Sequence, residues 1–552
     1  MTPPERPTTP ARAGPGRSLP VLSAPSNGAG GGCGGASGAG HAAGAGCHGG
    51  RETLRAAAAA AGKADTLTSL AADYPVGPHD QPQSMCPAFG SLRVGLRMRR
   101  TATILSGSAC CVYGLTFTSH FYGARRTVGY VPFNSETLVT GELFEDIKRA
   151  VEEVADPERY DCVVVTNLCV PTASGVPLDL LPDEINGVRI VGIDVPGFGV
   201  PTHAEAKDVL AGALLRVARR EAAAGPVARP SGHQSDRPRV TLLGELFPAD
   251  PMVIATLLEP MGAAVGSAVP TRAWRELYGA LDCSVAAALH PFYTASVREL
   301  REAGRPVVGS GPVGVEGTAA WLERIGDAVG AQPARIATAR GAGADAARAA
   351  LDRTPLSGRI TLAGYEGSEL LVARLLVEAG AEVPYVGTAC PRTEWSEADR
   401  DWLEAHGAHV EYRATLERDV EAFREAEPDL VIGTTPVVQA AKESGTPALY
   451  FTNLISARPI FGPAGAGALS RTIQTAMEGR ERLRRMRAFF EGVGVGAGAG
   501  YGHAGVPEAR LSAVERNARA RGGTARTGTD PDRNGGGVAA GAAAAAGKGT
   551  AC

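Results

Sequence analysis

The sequence predicts an α/β protein of three Rossmann-like domains with mostly parallel sheets. Apolar, strand-like runs ending in Gly, Pro, Ser or Thr recur along the chain, and amphipathic helical stretches follow them. That alternation puts helices on both faces of a sheet and buries its parallel strands. The chain is also long enough, at 552 residues with 44% hydrophobic content, to fill several cores.

Residues 1–45 are Pro-rich, then Gly/Ala-rich. They carry too few large apolar side chains to offset ordering entropy, and disorder is expected. The first domain, 46–232, holds TATIL (101–105), CVVVTNL (162–168) and VRIVGIDV (188–195), with a helix over Glu142–Val154. A polar, proline-bearing linker (226–238) leads to the second domain, 233–355, with RVTLLGE (239–245), SVAAALH (284–290) and PVVGS (306–310). The third domain, 356–493, holds RITLAGY (359–365), AEVPYVG (381–387), DLVIGTT (429–435) and PALYFTN (447–453). It has a helix over Ser368–Ala379 and a closing helix from about Leu469 to Phe490, with arginines in its last turns where the macrodipole favours them. Residues 494–552 form a second low-complexity tail, again expected to be disordered.

A net charge of −3 and 5% aromatics give no basis for nucleic-acid binding. No apolar run approaches a membrane span; the longest, Ala56–Ala61, is alanine. The first residues lack an apolar signal-peptide region, so a cytoplasmic location is expected. The tail segment GAAAAAGKGT fails as a phosphate loop, because Ala542 and Gly549 stand where that motif needs Gly and Ser/Thr. Any ATP hydrolysis is therefore expected on another polypeptide.

Three cysteines carry the chemistry. Cys86, Cys111 and Cys169 each sit in a Gly/Pro-rich loop: SMCPAFG, GSACCVYG and NLCVPTASG. Their spacings of 25 and 58 residues are too wide for paired zinc-knuckle or ferredoxin motifs. Three thiols on three turns suit an iron–sulfur cluster better, and three ligands for a four-iron cubane point to a partner supplying the fourth. Unligated buried thiols and a zinc site remain alternatives. Cys111 is expected to open a helix, where backbone N–H groups favour the thiolate. Pro171 is expected to stop regular structure after Cys169. Cys110 is the rival to Cys111, on the expectation that the two cannot point the same way. Cys162, Cys283 and Cys390 read as core residues, and Cys33, Cys47 and Cys552 as incidental.

Weaker candidates surround the trio. His290, before a proline at a strand end, and His203 are possible proton donors. Thr202 and Glu205 read as a capping box around His203. Gly197 and Gly199 give a flexible loop, in which Phe198 either shields a cluster or packs in the core. Arg93, Arg97, Arg99 and Arg100 either dock an acidic partner or form a solvated face. HPFYTAS (290–296), GYEGSE (364–369) and NLISARP (453–459) are candidate walls of a binding slot, or simple βα turns.

Five long segments resemble the nitrogenase-like oxidoreductases, specifically the catalytic component that reduces tetrapyrroles. They are GPHDQPQSMCPAFGSLRVGLRMRR (77–100), SGSACCVYGLTFTSHFYGARRTVGYVPFNSE (106–136), VVTNLCVPTASGVPLDLLP (164–182), IVGIDVPGFGVPTHAEAKDVL (190–210) and GTTPVVQAAKESGTPALYFTNLISARP (433–459). The resemblance spans about residues 46–493 and implies a nitrogenase α/β-subunit-like fold. It implies a [4Fe–4S] cluster held here by Cys86, Cys111 and Cys169 and shared with a homologous subunit Z, in a heterotetramer of two copies of each. It also implies an ATP-hydrolysing iron protein, subunit X, that docks and passes single electrons. The implied substrate is chlorophyllide a, reduced at the C7=C8 bond of ring B in bacteriochlorophyll synthesis. A non-catalytic cluster scaffold, a protochlorophyllide-reductase-type subunit and a zinc-stabilised or metal-free small-molecule-binding protein are the rival readings.

Overall fold

The structure is a computed structural model, which describes residues 86–121, 128–200, 202–228, 237–244, 251–458 and 460–490. Expectations placed on the two ends, Cys33, Cys47, Cys552 and the Ala542/Gly549 segment among them, fall outside those residues.

Three sheets follow one another along the chain. The first runs β2-β1-β3-β5-β4, from β1 (Thr101–Ser106), β2 (Val128–Val131), β3 (Cys162–Asn167), β4 (Glu184–Ile185) and β5 (Val188–Asp194). The second runs β7-β6-β8-β9, from β6 (Arg239–Leu243), β7 (Ala264–Val269), β8 (Val285–Ala288) and β9 (Val307–Gly309). The third runs β12-β11-β10-β13-β14, from β10 (Arg359–Ala363), β11 (Glu382–Thr388), β12 (His409–Tyr412), β13 (Leu430–Gly433) and β14 (Ala448–Tyr450). Among the described strands only the short β4 pairs antiparallel. Strands β1, β3, β8 and β13 are buried along their whole length, as expected for parallel strands covered on both faces.

The middle sheet ties the molecule together through the two-residue period of a strand. Val240, Leu242, Val285 and Ala287 face a core shared with Ile360, Leu362, Leu430 and Ile432 of the third sheet. Leu243, Ala286 and Ala288, on the other face, share a core with Leu105, Val164, Val191 and Ile193 of the first sheet. Carboxylates reinforce both joins by capping helix N-termini across them. Asp208 accepts from the backbone N–H groups of Ala295 (2.5 Å) and Ser296 (2.9 Å). Glu378 does the same for Val315 and Glu316.

Most expected elements are present, with instructive exceptions. Helix Glu142–Val154 buries Leu143, Ile147 and Val151, a stripe at every fourth residue. The apolar run 447–453 is strand only over Ala448–Tyr450; helix Phe451–Ala457 takes the rest. The single closing helix is two helices, Gly462–Glu478 and Arg480–Phe490, divided at Gly479, whose helix propensity is poor. Pro171 does not end regular structure but lies inside the short helix Cys169–Ala173, early enough that its missing N–H costs no intrahelical bond.

Candidate functional site

The first sheet and its flanking turns bring the three cysteines to one end. Cys86 lies just before Pro87, the N-cap of helix Ala88–Arg97, and its carbonyl accepts from Phe89 N–H at 3.1 Å. Cys111 lies in the first turn of helix Ala109–Phe121, after β1 and the Gly107–Ser108 turn. Cys169 begins helix Cys169–Ala173, directly after β3 and Leu168. Burial pushes the Cys86 thiol up, the backbone at Ala88 pulls it down, and charge at Cys169 and Cys111 pushes it up further. The Cys86 sulfur is thus within electrostatic reach of the other two.

Each is held lightly. Gly197 N–H donates to Cys169 Sγ at 3.1 Å, so the Gly197–Gly199 loop has a defined contact. Ser108 Oγ lies 3.1 Å from Cys111 Sγ and 3.2 Å from Cys110 Sγ. Cys110 and Cys111 therefore share one hydroxyl and do not point in opposing directions, contrary to expectation. What distinguishes them is that Cys86 feels the charge of Cys111 and Cys169, whereas the Cys110 thiol is pulled down by its contacts with Ser108 and Cys111. Beside these sulfurs three apolar side chains face outward: Tyr113 (72% exposed), Phe198 (62%) and Val170 (39%). Phe198 is therefore not a core residue. Cys162, Cys283 and Cys390 are buried.

Among the described residues, no three His, Cys, Asp or Glu side chains close to the spacing a single metal ion requires. One zinc ion would need its sulfurs about 2.3 Å from a common centre. An iron–sulfur cluster ligates each thiolate through a different iron, and soft thiolate donors on separate turns are of the type it takes.

A second polar assembly lies where the three sheets meet, around the turn 364–369. Tyr365 adopts φ +56°, a strained conformation, and its hydroxyl donates to Asp419, as does that of Tyr385. Glu366 Oε2 lies 2.6 Å from Nδ1 of His203, the first residue of helix His203–Ala224, and Glu366 Oε1 accepts from Thr452 Oγ1 at 2.8 Å. Ser368 Oγ lies 2.8 Å from His290 Nδ1, and Phe461 packs against the His290 ring at 5.4 Å. Glu369 accepts from the N–H groups of Glu366 and Gly367 and from Thr388 Oγ1. Burial pushes Glu366 up to about 8 and Asp419 up to about 7, and holds His203 well below the usual imidazole range.

The remaining candidates resolve singly. Thr202 Oγ1 accepts from Glu205 N–H at 3.2 Å, but the Glu205 carboxylate pairs with buried Arg413 at 3.1 Å, so only half of the capping box forms. Arg99 and Arg100 face solvent, where Arg100 pairs with Asp161 at 2.8 Å, whereas Arg93 acts inward on His203 and Glu366. The arginine run is therefore not one docking face. Sequence reasoning misses Glu366, Ser368, Asp419 and Arg413 as individual site residues, since isolated polar residues leave no periodic signal.

Residues 86–478 match the family described as nitrogenase component 1 type oxidoreductase. The chain is 67% identical over 449 residues to the chlorophyllide reductase 52.5 kDa chain of Rhodobacter capsulatus, covering 81% of this chain and 90% of that one. The Cereibacter sphaeroides counterpart is 68% identical over the same length, covering 81% and 89%. A light-independent protochlorophyllide reductase chain of Methylobacterium radiotolerans is 28% identical over 381 residues, covering 65% and 69%. The solved structure titled nitrogenase Cp1 at pH 6.5 superimposes with a TM-score of 0.59 at 18% identity, covering 73% of this chain and 94% of that one, a likeness of fold.

Proposed function

The chain belongs to the nitrogenase component 1 type oxidoreductases, and from that premise we propose its reaction: two-electron reduction of the C7=C8 bond of chlorophyllide a, as the Y-type subunit of the catalytic component. The family works through metal–sulfur clusters and multi-subunit assemblies. The observation that carries the reading is the gathering of Cys86, Cys111 and Cys169 at one end, within a sequence two-thirds identical to chlorophyllide reductase chains. The gap between 67% and 28% identity favours chlorophyllide over protochlorophyllide as substrate.

In this reading the three thiolates hold a [4Fe–4S] cluster, whose chemistry is to take up and pass on single electrons at a potential set by its surroundings. Gly197 N–H stabilises charge on Cys169 Sγ, and Ser108 Oγ–H does so on Cys111 Sγ. Tyr113, Val170 and Phe198 offer apolar surface to the homologous subunit Z, which excludes water and completes the ligand set. The tail segment that most resembles a phosphate loop lacks its essential residues, so ATP is used by the separate iron protein, subunit X. Among the described residues no helix is long and apolar enough to cross a membrane.

The experiment is anaerobic co-purification with subunit Z, iron and sulfide analysis, then addition of subunit X, ATP and chlorophyllide a. Bound iron and sulfide with appearance of a red-shifted bacteriochlorin band are expected. A complex holding iron but inert towards chlorophyllide a would favour the scaffold reading, and a zinc-only complex would end the cluster assignment.

A further inference from the structure

His203 follows the loop whose Gly197 N–H bonds Cys169 Sγ, while Glu366 arrives from the third sheet. Their side chains are both buried, with Nδ1 and Oε2 2.6 Å apart. The distance is that of a hydrogen bond, but the ring direction is not aligned for one. Catalytic contacts commonly show this looseness before substrate binds and tighten afterwards. Two ionisable groups this close and this deeply buried settle into the form with least net charge. Burial raises the carboxyl and depresses the imidazole, so near neutrality a protonated carboxyl faces an unprotonated Nδ1. Oε1 is engaged by Thr452 Oγ1, which leaves Oε2 to carry the proton. A neutral imidazole with Nδ1 bare holds its own proton on Nε2. Nε2 has no hydrogen-bond partner among the described residues, while Nδ1 is sealed from solvent.

Resting on the reductase reading above, we propose that Glu366 and His203 form a proton relay for the reduction. The Nε2–H bond of His203 breaks towards a tetrapyrrole carbon that has received electrons from the low-potential iron–sulfur donor. The Glu366 O–H bond breaks as an Nδ1–H bond forms. His203 ends neutral in its other tautomer, Glu366 ends as a carboxylate, and the substrate gains one of its two protons. All electrons come from the iron–sulfur donor. The new carboxylate is favoured by Lys207 on the helix of His203, by Arg93 on helix Ala88–Arg97 and by the Thr452 hydroxyl, and is opposed by Glu369 on its own turn. Glu366 acts through His203 and is a positioning residue.

The test uses the assembled complex. Glu366→Gln keeps the shape but has no acidic proton; Glu366→Asp keeps the proton. An infrared difference spectrum, wild type minus E366Q, should show a protonated-carboxyl band at pH 7 that fades as pH rises through about 8. In E366Q, kcat for chlorophyllide a should fall about 100-fold or more, with KM and tetrapyrrole binding within about threefold, and E366D should restore about a tenth or more of the rate. Absence of the band, an E366Q rate within about twofold of wild type, or a rate loss matched by lost tetrapyrrole binding would each overturn the relay. If E366Q does not assemble, H203Q takes its place: the same fall in kcat with binding kept supports the relay, and an unchanged rate overturns it. A wild-type complex that shows the band but leaves chlorophyllide a unreduced would sink the reductase reading instead.

Discussion

The sulfur end and the three-sheet junction both lie beyond the carboxyl ends of parallel strands, yet they are built in opposite ways. At the sulfur end Cys110 and Cys111 are exposed, Cys111 and Cys169 are each held by a single polar contact, and Tyr113 and Phe198 are largely exposed. At the junction Glu366, Ser368, Glu369 and Asp419 are buried, and each meets a group from another element. A buried polar group left unanswered costs about 1–3 kcal/mol, so the junction has to be completed within the chain. An exposed thiol carries no such cost and can wait for another surface. The contrast fits one site finished only by assembly and one finished by folding.

The largest expected effect is at the sulfur end. Cys111→Ala should abolish cluster absorbance in the assembled complex, whereas Cys110→Ala should largely keep it. The shared contact with Ser108 makes this a sharp test, because sulfur position alone does not separate the two. The reverse result would exchange the ligand assignment. Cys111→Ala should leave the melting temperature of the chain without its partner nearly unchanged, since that side chain is exposed.

Gly367→Ala should do the opposite: no change in exposed surface and a large loss of stability. Gly367 has φ +87°, and a Cβ there would fall 1.0 Å from Phe292 Cε2. Backbone strain and overpacking act together, and a loss of about 4 kcal/mol or more is expected, read by chemical denaturation. A variant that melts like wild type would show that the turn is far less constrained than its contacts indicate.

The fold is far more legible in the sequence than the junction. Runs such as TATIL and CVVVTN announce buried strands because β-branched residues fill both faces. β7, AVGSAV, and β12, HVEY, escape because small or charged residues dilute that pattern. The cysteines are legible because a thiol in a Gly/Pro-rich turn is chemically conspicuous. The pairing of His203 with Glu366 is not, because one buried polar contact between distant segments leaves no local pattern. GYEGSE reads as a wall segment, but nothing in it reveals that one turn reaches histidines next to two other sheets.

A smaller effect separates the regions by pH. Burial raises Glu366 from 4.5 to about 8 and Asp419 from 3.8 to about 7. An acid whose folded-state value is raised binds its proton more tightly when folded, so its contribution is full below the unfolded value and is lost as pH climbs through the folded one. Stability should therefore decline between about pH 4.5 and pH 8, and E366Q should flatten the upper part of that decline. Melting temperatures at pH 6 and pH 8 check this; an equal slope in both proteins would mean that Glu366 is already ionised when folded.

The smallest expected effect comes from a charge pair that also spans the second and third sheets but lies in water. Arg301 and Glu394 meet at 3.0 Å with side chains 51% and 69% exposed. Solvent screening and side-chain entropy reduce such a pair to about 0–1 kcal/mol, and added salt weakens it further. Arg301→Gln should therefore shift the denaturation midpoint barely above error. Arg413→Gln, which removes a buried guanidinium from the half-buried Glu205, should cost about 3 kcal/mol. Equal losses from the two substitutions would mean that burial does not distinguish the junction, and the contrast between the two ends would then rest on the sulfurs alone.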